Sequence, residues 1–179
     1  LPEKYVALGY KDYSSAMVRT HERGMYGYYE ARAKPMNSAG SSAFWLAWTG
    51  LPENATEIDI FEIGGKTPNE AFDRRYNMNA HVWARPQNDQ HLSSGSTWNA
   101  PWRLASTFHV YGFDWQPETL RWYVDGVLVR EAKNTYWHFP MQIVFDSEAM
   151  WDWFGVVDDA DLPSVFRIDY VRVWTRSPQ

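Results

Sequence analysis

The stretch Thr56-Glu57-Ile58-Asp59-Ile60-Phe61-Glu62 sets three carboxylates among apolar residues, the material for acid–base or nucleophilic chemistry. In a pleated strand Glu57 and Asp59 share one face, and Ile58 and Ile60 the other. Strict alternation would put the third acid at position 61, but Phe61 stands there and the acid falls at Glu62. A β-bulge at Ile60-Phe61 reconciles the pattern, because it inserts one extra residue and restores the face beyond it. The two Glu are then four regular steps apart, roughly 13 Å between Cα atoms. Each side chain reaches about 3.5–4 Å from its Cα. Leaning carboxyls can therefore approach to roughly 5–6 Å, near the separation at which one attacks a sugar carbon while the other protonates the leaving oxygen. Acids crowded on one face repel, so at least one carboxyl is expected to hold its proton above the usual range. On this reading Glu57 is the ionised nucleophile and Glu62 the general acid, later the base. Asp59 hydrogen-bonds Glu57, orients it and couples the titrations. The competing reading is an ordinary strand whose acidic face is solvated.

Such an arrangement needs a β scaffold. Apolar or alternating runs broken by turn residues recur at residues 15–20, 26–34, 43–48, 57–62, 75–83, 108–115, 119–124, 127–130, 141–146 and 166–174. Short strands at this spacing mark an all-β sandwich or barrel. In the clearest hairpin Leu120, Trp122 and Val124 alternate with Arg121 and Tyr123, and Asp125-Gly126 supplies a tight two-residue turn. Pro117-Glu118 marks the turn before it. Residues 85–105, rich in Gly, Ser, Asn, Pro and Gln, read as a long surface loop with a helical signal only at 100–105. Pro163 and the acids from Asp158 to Asp161 mark another loop, with room for one helical turn.

A chain of 179 residues can bury one sizeable core, so residues 1–179 are taken as a single domain. Aromatic residues make up 17% of it, with 11 Trp and 11 Tyr. Flat apolar rings with a polar edge suit sugars as well as a sandwich core. A net charge of −5 argues against a nucleic-acid partner. The lack of Cys excludes disulfides, thiol catalysis and Cys-based metal sites. No apolar run is long enough to span a membrane. The opening LPEKYVALGY has no signal-peptide pattern, so either the chain is not exported or its leader has been removed.

TEIDIFE resembles the bulged signature E-x-D-x-x-E of glycoside hydrolase family 16, and the resemblance runs over nearly the whole chain. RGMYGYYEARAKPM from Arg23 is similar to the family's strand before the active site, and SAFWL from Ser42 to its aromatic strand. HVYGFDWQPE from His109 and WYVDG from Trp122 resemble its outer hairpin, and DYVRVW from Asp169 its closing strand. The resemblance implies a β-jelly-roll sandwich of two antiparallel sheets with a substrate cleft across the concave one. It also implies retaining endo-hydrolysis of a β-linked polysaccharide outside the cell or in the periplasm, with no cofactor for catalysis. Glu57 carries over as nucleophile, Asp59 as its assistant and Glu62 as acid/base. Family members begin with further strands ahead of Ser14, so an additional N-terminal segment of the same domain is expected as a partner of this chain.

MQIVFDSEAM from Met141, followed by WDWFG, and YNMNAH from Tyr76 look more like red-algal galactanases (agarases, porphyranases, carrageenases) than like laminarinases. A laminarinase-like β-1,3-glucanase and a non-catalytic sugar-binding sandwich are the alternatives. Trp48 matches a cleft Trp that stacks on galactose in agarases, with core packing as the other reading. Trp45 reads as core or as a wall beneath the acids, and His81 as a strand histidine or a contact to Glu62 or a sugar hydroxyl. Glu148 is expected on sugar hydroxyls, and Trp151 or Trp153 at one end of the cleft, unless all three hold a loop. Arg74, Arg75, Arg85 and His91 are candidates for gripping a sulfate or are solvated loop charges. Asp169 matches a position that helps hold a structural calcium in some relatives.

Overall fold

The computed structural model describes residues 3–7, 13–48, 55–83 and 91–175. Their strands are β1 (Met17–Arg19), β2 (Gly27–Lys34), β3 (Ser41–Ala47), β4 (Thr56–Ile63), β5 (Arg75–Val82), β6 (Leu92–Ser93), β7 (Ser96–Asn99), β8 (His109–Trp115), β9 (Thr119–Val124), β10 (Val127–Lys133), β11 (Gln142–Glu148) and β12 (Arg167–Trp174). One antiparallel sheet runs β1-β11-β3-β4-β5-β6, with β7 also on β5, and the other runs β10-β9-β8-β2-β12. This is the two-layer β sandwich expected from the alternation.

The layers meet in a core drawn from both. Phe44, Leu46, Ile58, Ile60 and Phe61 of the first sheet and Tyr29, Tyr111, Phe113, Trp115 and Trp122 of the second are all buried. Phe44 stacks on Phe145 at 4.5 Å between ring centroids, and Phe61 lies 4.5 Å from Tyr111. The polar edges of these rings are used: Trp122 Nε1 donates across the interface to the Asp59 carbonyl, and Trp115 Nε1 donates to the Trp137 carbonyl. In the β9–β10 hairpin, Asp125 (φ 48°) and Gly126 (φ 78°) both take positive φ, as a two-residue turn of this hand requires.

Several elements depart from expectation. The stretch read as a long loop contributes β6 and β7, which extend the cleft sheet beyond β5. Polar Ser and Thr side chains suit such an edge, and their lack of apolar alternation hid them. Residues 100–105 form turns rather than a helix; Ala100 and Leu104 are anchored by backbone bonds to Arg74 and Asp73. A short helix α1 (Glu3–Ala7) and a 3-10 turn at Glu70–Arg74 were not expected, whereas the turn at Asp159–Asp161 was. No helix among the described residues is long and apolar enough to cross a membrane.

Apolar surface is left uncovered at one side of the sandwich. Val18 pairs with Phe145 and so faces the core side, yet is 67% exposed. Ile168, Val171, Val173 and Trp174 of β12 are exposed as well. On the same strand Asp169 sits at a register irregularity and its carboxylate accepts from Arg32 at 2.7 Å. It joins no group of three metal-ligating side chains among the described residues, so these do not by themselves build a calcium site there.

Candidate active site

The irregularity expected in β4 is present. On β5, Asp59 pairs with Asn79 and Glu62 with Asn77, so Ile60 and Phe61 together span the single position of Met78. On β3, Phe61 pairs with Phe44 and Asp59 with Trp45, which leaves Ile60 as the extra residue. Ile60 and Phe61 both bury fully in the core. A bulge frees backbone groups from the ladder, and each must find another partner. Tyr76 Oη donates to the Ile60 carbonyl at 2.6 Å, Trp122 Nε1 to that of Asp59 at 3.1 Å and Asn77 Nδ2 to that of Glu62 at 2.8 Å. The bulge is thus held from the neighbouring strand and from the opposite sheet.

Beyond it, Glu57, Asp59 and Glu62 open into one cavity of about 640 Å³. Trp45 lies in register with Asp59 and donates its indole N–H to Asp146 at 3.3 Å. It forms the wall beneath the acids, one of the two readings open from the sequence. Trp48 does not line the cavity; it lies one residue past β3, packed on the core near Phe139, because its parity is that of buried Leu46. The stacking role expected of Trp48 is therefore corrected. His81 lines the cavity opposite Glu57 but faces Asp59, with Nε2 3.2 Å from its Oδ2, and not Glu62. Its Nδ1 is 2.8 Å from His91 Nε2. Asp59 Oδ2 has no hydrogen-bond partner, so the approach of His81 Nε2 to it is electrostatic rather than a hydrogen bond, and between His81 Nδ1 and His91 Nε2 one nitrogen donates and the other accepts.

Glu148 and Trp153 also line the cavity, whereas Trp151 is exposed outside its lining. Arg75 turns away, its guanidinium carbon 4.3 Å over the Phe72 ring, and Arg74 donates to the Pro101 carbonyl. Neither reaches the acids. Arg85 lies outside the described residues.

Two functional neighbours escaped the sequence reading. Trp83 donates its indole N–H to Glu57 Oε2 at 3.1 Å and stacks on His91 at 4.2 Å. It stands two residues after His81, so strand parity could have found it. Asp146 stands two residues before Glu148 and lines the cavity by the same parity.

The electrostatics raise both Glu. Burial, then the Asp59 carboxylate, push Glu57 up to about 7, while the Trp83 bond and His81 pull it down. Burial, then Asp59, Glu57, Glu148 and Asp146, push Glu62 up to about 8. Burial and Glu148 raise Asp146 to about 6. Oxygens of Glu57 and Asp59 and a nitrogen of His81 lie within 4.8 Å of one another, close enough to hold a cation or to share protons. At neutral pH the arrangement can present one ionised carboxylate beside one protonated carboxyl.

Residues 3–176 match the family model described as beta-porphyranase A-D, GH16 domain. The chain is 27% identical to the kappa-carrageenase of Pseudoalteromonas carrageenovora over 92% of its own length and 47% of that protein's. A crystal structure of that enzyme, in complex with an oligotetrasaccharide of kappa-carrageenan, superposes with a TM-score of 0.71 at 26% identity, over 88% of this chain and 67% of that one. Beta-agarase A of Zobellia galactanivorans is 30% identical over 82% of this chain and 30% of its own length. For the beta-glucanase of Bacillus subtilis the values are 29%, 82% and 57%. The chain therefore spans about half, or less, of the length of the first two relatives.

Proposed function

The chain belongs to glycoside hydrolase family 16, and from that premise we propose that it is part of the catalytic domain of a secreted, retaining endo-hydrolase of β-linked red-algal galactan. The observation that carries the reading is the bulge, which brings Glu57, Asp59 and Glu62 into one cavity with both Glu carboxyls raised. In the first step a Glu57 oxygen attacks the anomeric carbon as the glycosidic C–O bond breaks, and Glu62 gives its proton to the departing oxygen. In the second, Glu62 takes a proton from water, whose oxygen bonds to the anomeric carbon and releases Glu57. Asp59 shares a proton with Glu57, and Trp83 holds the attacking carboxylate in place. This chemistry needs only carboxylates and water.

Galactan is favoured over glucan by the porphyranase-type family model and the carrageenase and agarase relatives. The uncovered surface of β1 and β12 supports a further segment of the same domain packing there. Reducing-end release on agarose, porphyran, kappa-carrageenan and laminarin tests the substrate, and activity on laminarin alone would defeat the galactan reading. A proton NMR time course should first show product with the β configuration; early α product would defeat retention.

The pH profile follows from the same two groups. Glu57 must be ionised, so activity should fall as the pH drops below about 7; Glu62 must be protonated, so it should fall again above about 8. The acids interact, so the two limbs of kcat/KM belong to the pair. Trp83→Phe removes a bond that stabilises ionised Glu57, and should move the acid limb upward by more than it moves the basic limb. A profile that stays flat as the pH passes through about 7 and about 8 would remove both assignments.

A further inference from the structure

We infer that Glu57, Asp59 and His81 form a binding site for a divalent transition-metal ion of the zinc class, and that an ion held there shuts the active site reversibly. The binding rests on geometry alone; the loss of hydrolysis rests on the hydrolase reading above. Among the described residues these three are the single group of metal-ligating side chains gathered so closely, with one ligand atom of each within 4.8 Å of the others. His81 Nε2 stands 3.2 Å from Asp59 Oδ2. Two ligands about 2.0–2.1 Å from a tetrahedral zinc ion lie about 3.3–3.4 Å from each other. This pair therefore needs almost no movement to bracket one.

Crowded acids alone do not mark a metal site, but one atom here asks for a cation. The Asp59 side chain is only 5% exposed, and its Oδ2 is buried with no hydrogen-bond partner. A carboxylate oxygen taken from water without a partner is costly. Among the described residues no Lys or Arg lines the cavity to supply one. An ion set between Asp59, His81 and Glu57 does.

The surrounding bonds suit ligation as well. Trp83 Nε1 donates to Glu57 Oε2, which steadies the carboxylate and leaves its other oxygen for an ion. A metal on His81 Nε2 places the ring proton on Nδ1, and His91 Nε2 lies 2.8 Å away to accept it. A metal-ligating histidine is commonly oriented by such a second bond. The cavity of about 640 Å³ has room for water as a fourth ligand. One imidazole and two carboxylates favour zinc or copper(II), whereas calcium takes six or more oxygens and magnesium keeps most of its waters. In the proposed cycle Glu57 and Asp59 share a proton. The ion displaces that proton to solvent and occupies the oxygen that must attack the sugar.

The test titrates zinc chloride into the chelator-treated protein in a non-chelating buffer, read by calorimetry and by the imidazole NMR signals. Of the five histidines, His81 and His91 should shift, and His21, His109 and His138 should not. That spectrum comes from the unaltered protein and needs no variant to fold. His81→Ala should weaken zinc binding by at least about 100-fold, and His91→Ala by about 10–100-fold. On whichever polysaccharide is hydrolysed, zinc should raise KM without lowering kcat, and EDTA should restore the rate. No uptake at about 1 mM zinc, equal binding by His81→Ala, or shifts confined to the other histidines overturns the site. Zinc bound at His81 with hydrolysis unaffected overturns the shut-off. If zinc binds as described but no polysaccharide is cleaved without it, the metal site stands and the hydrolase reading fails.

Discussion

Glu57→Gln should lower kcat on the polysaccharide by at least about 10⁴-fold while binding survives. The amide keeps the shape of the side chain and can still meet the Trp83 N–H through its carbonyl oxygen. It cannot attack the anomeric carbon as an anion. The loss must be told apart from a folding defect, and linkage does so through its sign. Glu57 is raised from 4.5 to about 7, so the folded protein holds this proton more tightly than the unfolded chain does. The group's contribution is fully present below about 4.5 and is lost as the pH rises through about 7. Gln does not titrate and escapes that loss. The variant should therefore match the parent in Tm at pH 4 and exceed it at pH 8. An inactive enzyme that is more stable than its parent at alkaline pH identifies a group kept for chemistry. Unchanged activity would remove Glu57 from the mechanism.

The shared face of the three acids was legible in the sequence because the constraint on them is local. Alternation has a period of two, so a single late acid among apolar neighbours demands either a bulge or a buried carboxylate, and Ile60 and Phe61 are too apolar to be the exposed pair. Regular placement would have turned Glu62 into the core among Ile58 and Phe44 without a partner. Most strands were legible for the same reason, and so was the β9–β10 turn. What could not be read was whatever depends on contact between distant segments. The bonds from Tyr76 and Trp122 that hold the bulge come from 16 and 63 residues away. Trp45 and Trp48 stand at opposite parity, and only the register of β3 against β4 decides which parity meets the acids. β6 and β7 went unseen because polar edge strands carry no apolar signature.

Glu62→Gln should cost about 10²–10⁴-fold in kcat/KM on the natural polymer, and the loss should depend on the leaving group. Glu62 has two tasks in the proposed cycle, and they can be separated. In the first it protonates the departing sugar oxygen, which is needed when that oxygen is a poor leaving group. An aryl glycoside with an acidic phenol needs little such help, so its first step should be nearly unaffected. The second step still lacks a base to activate water, so the variant should accumulate glycosyl-enzyme and show a burst of phenol followed by a slow steady state. Added azide, a nucleophile that needs no base, should speed that slow phase and yield the β-glycosyl azide. The basic limb of the pH profile should vanish as well, since the group raised to about 8 is gone. Asp146 and Glu148 share the cavity with Glu62 and contribute to its shift, so either is the natural rival for the acid role. A loss independent of the leaving group, with the basic limb intact, would transfer the role to one of them. The bulge would then serve to turn Glu62 out of the core without making it the proton donor.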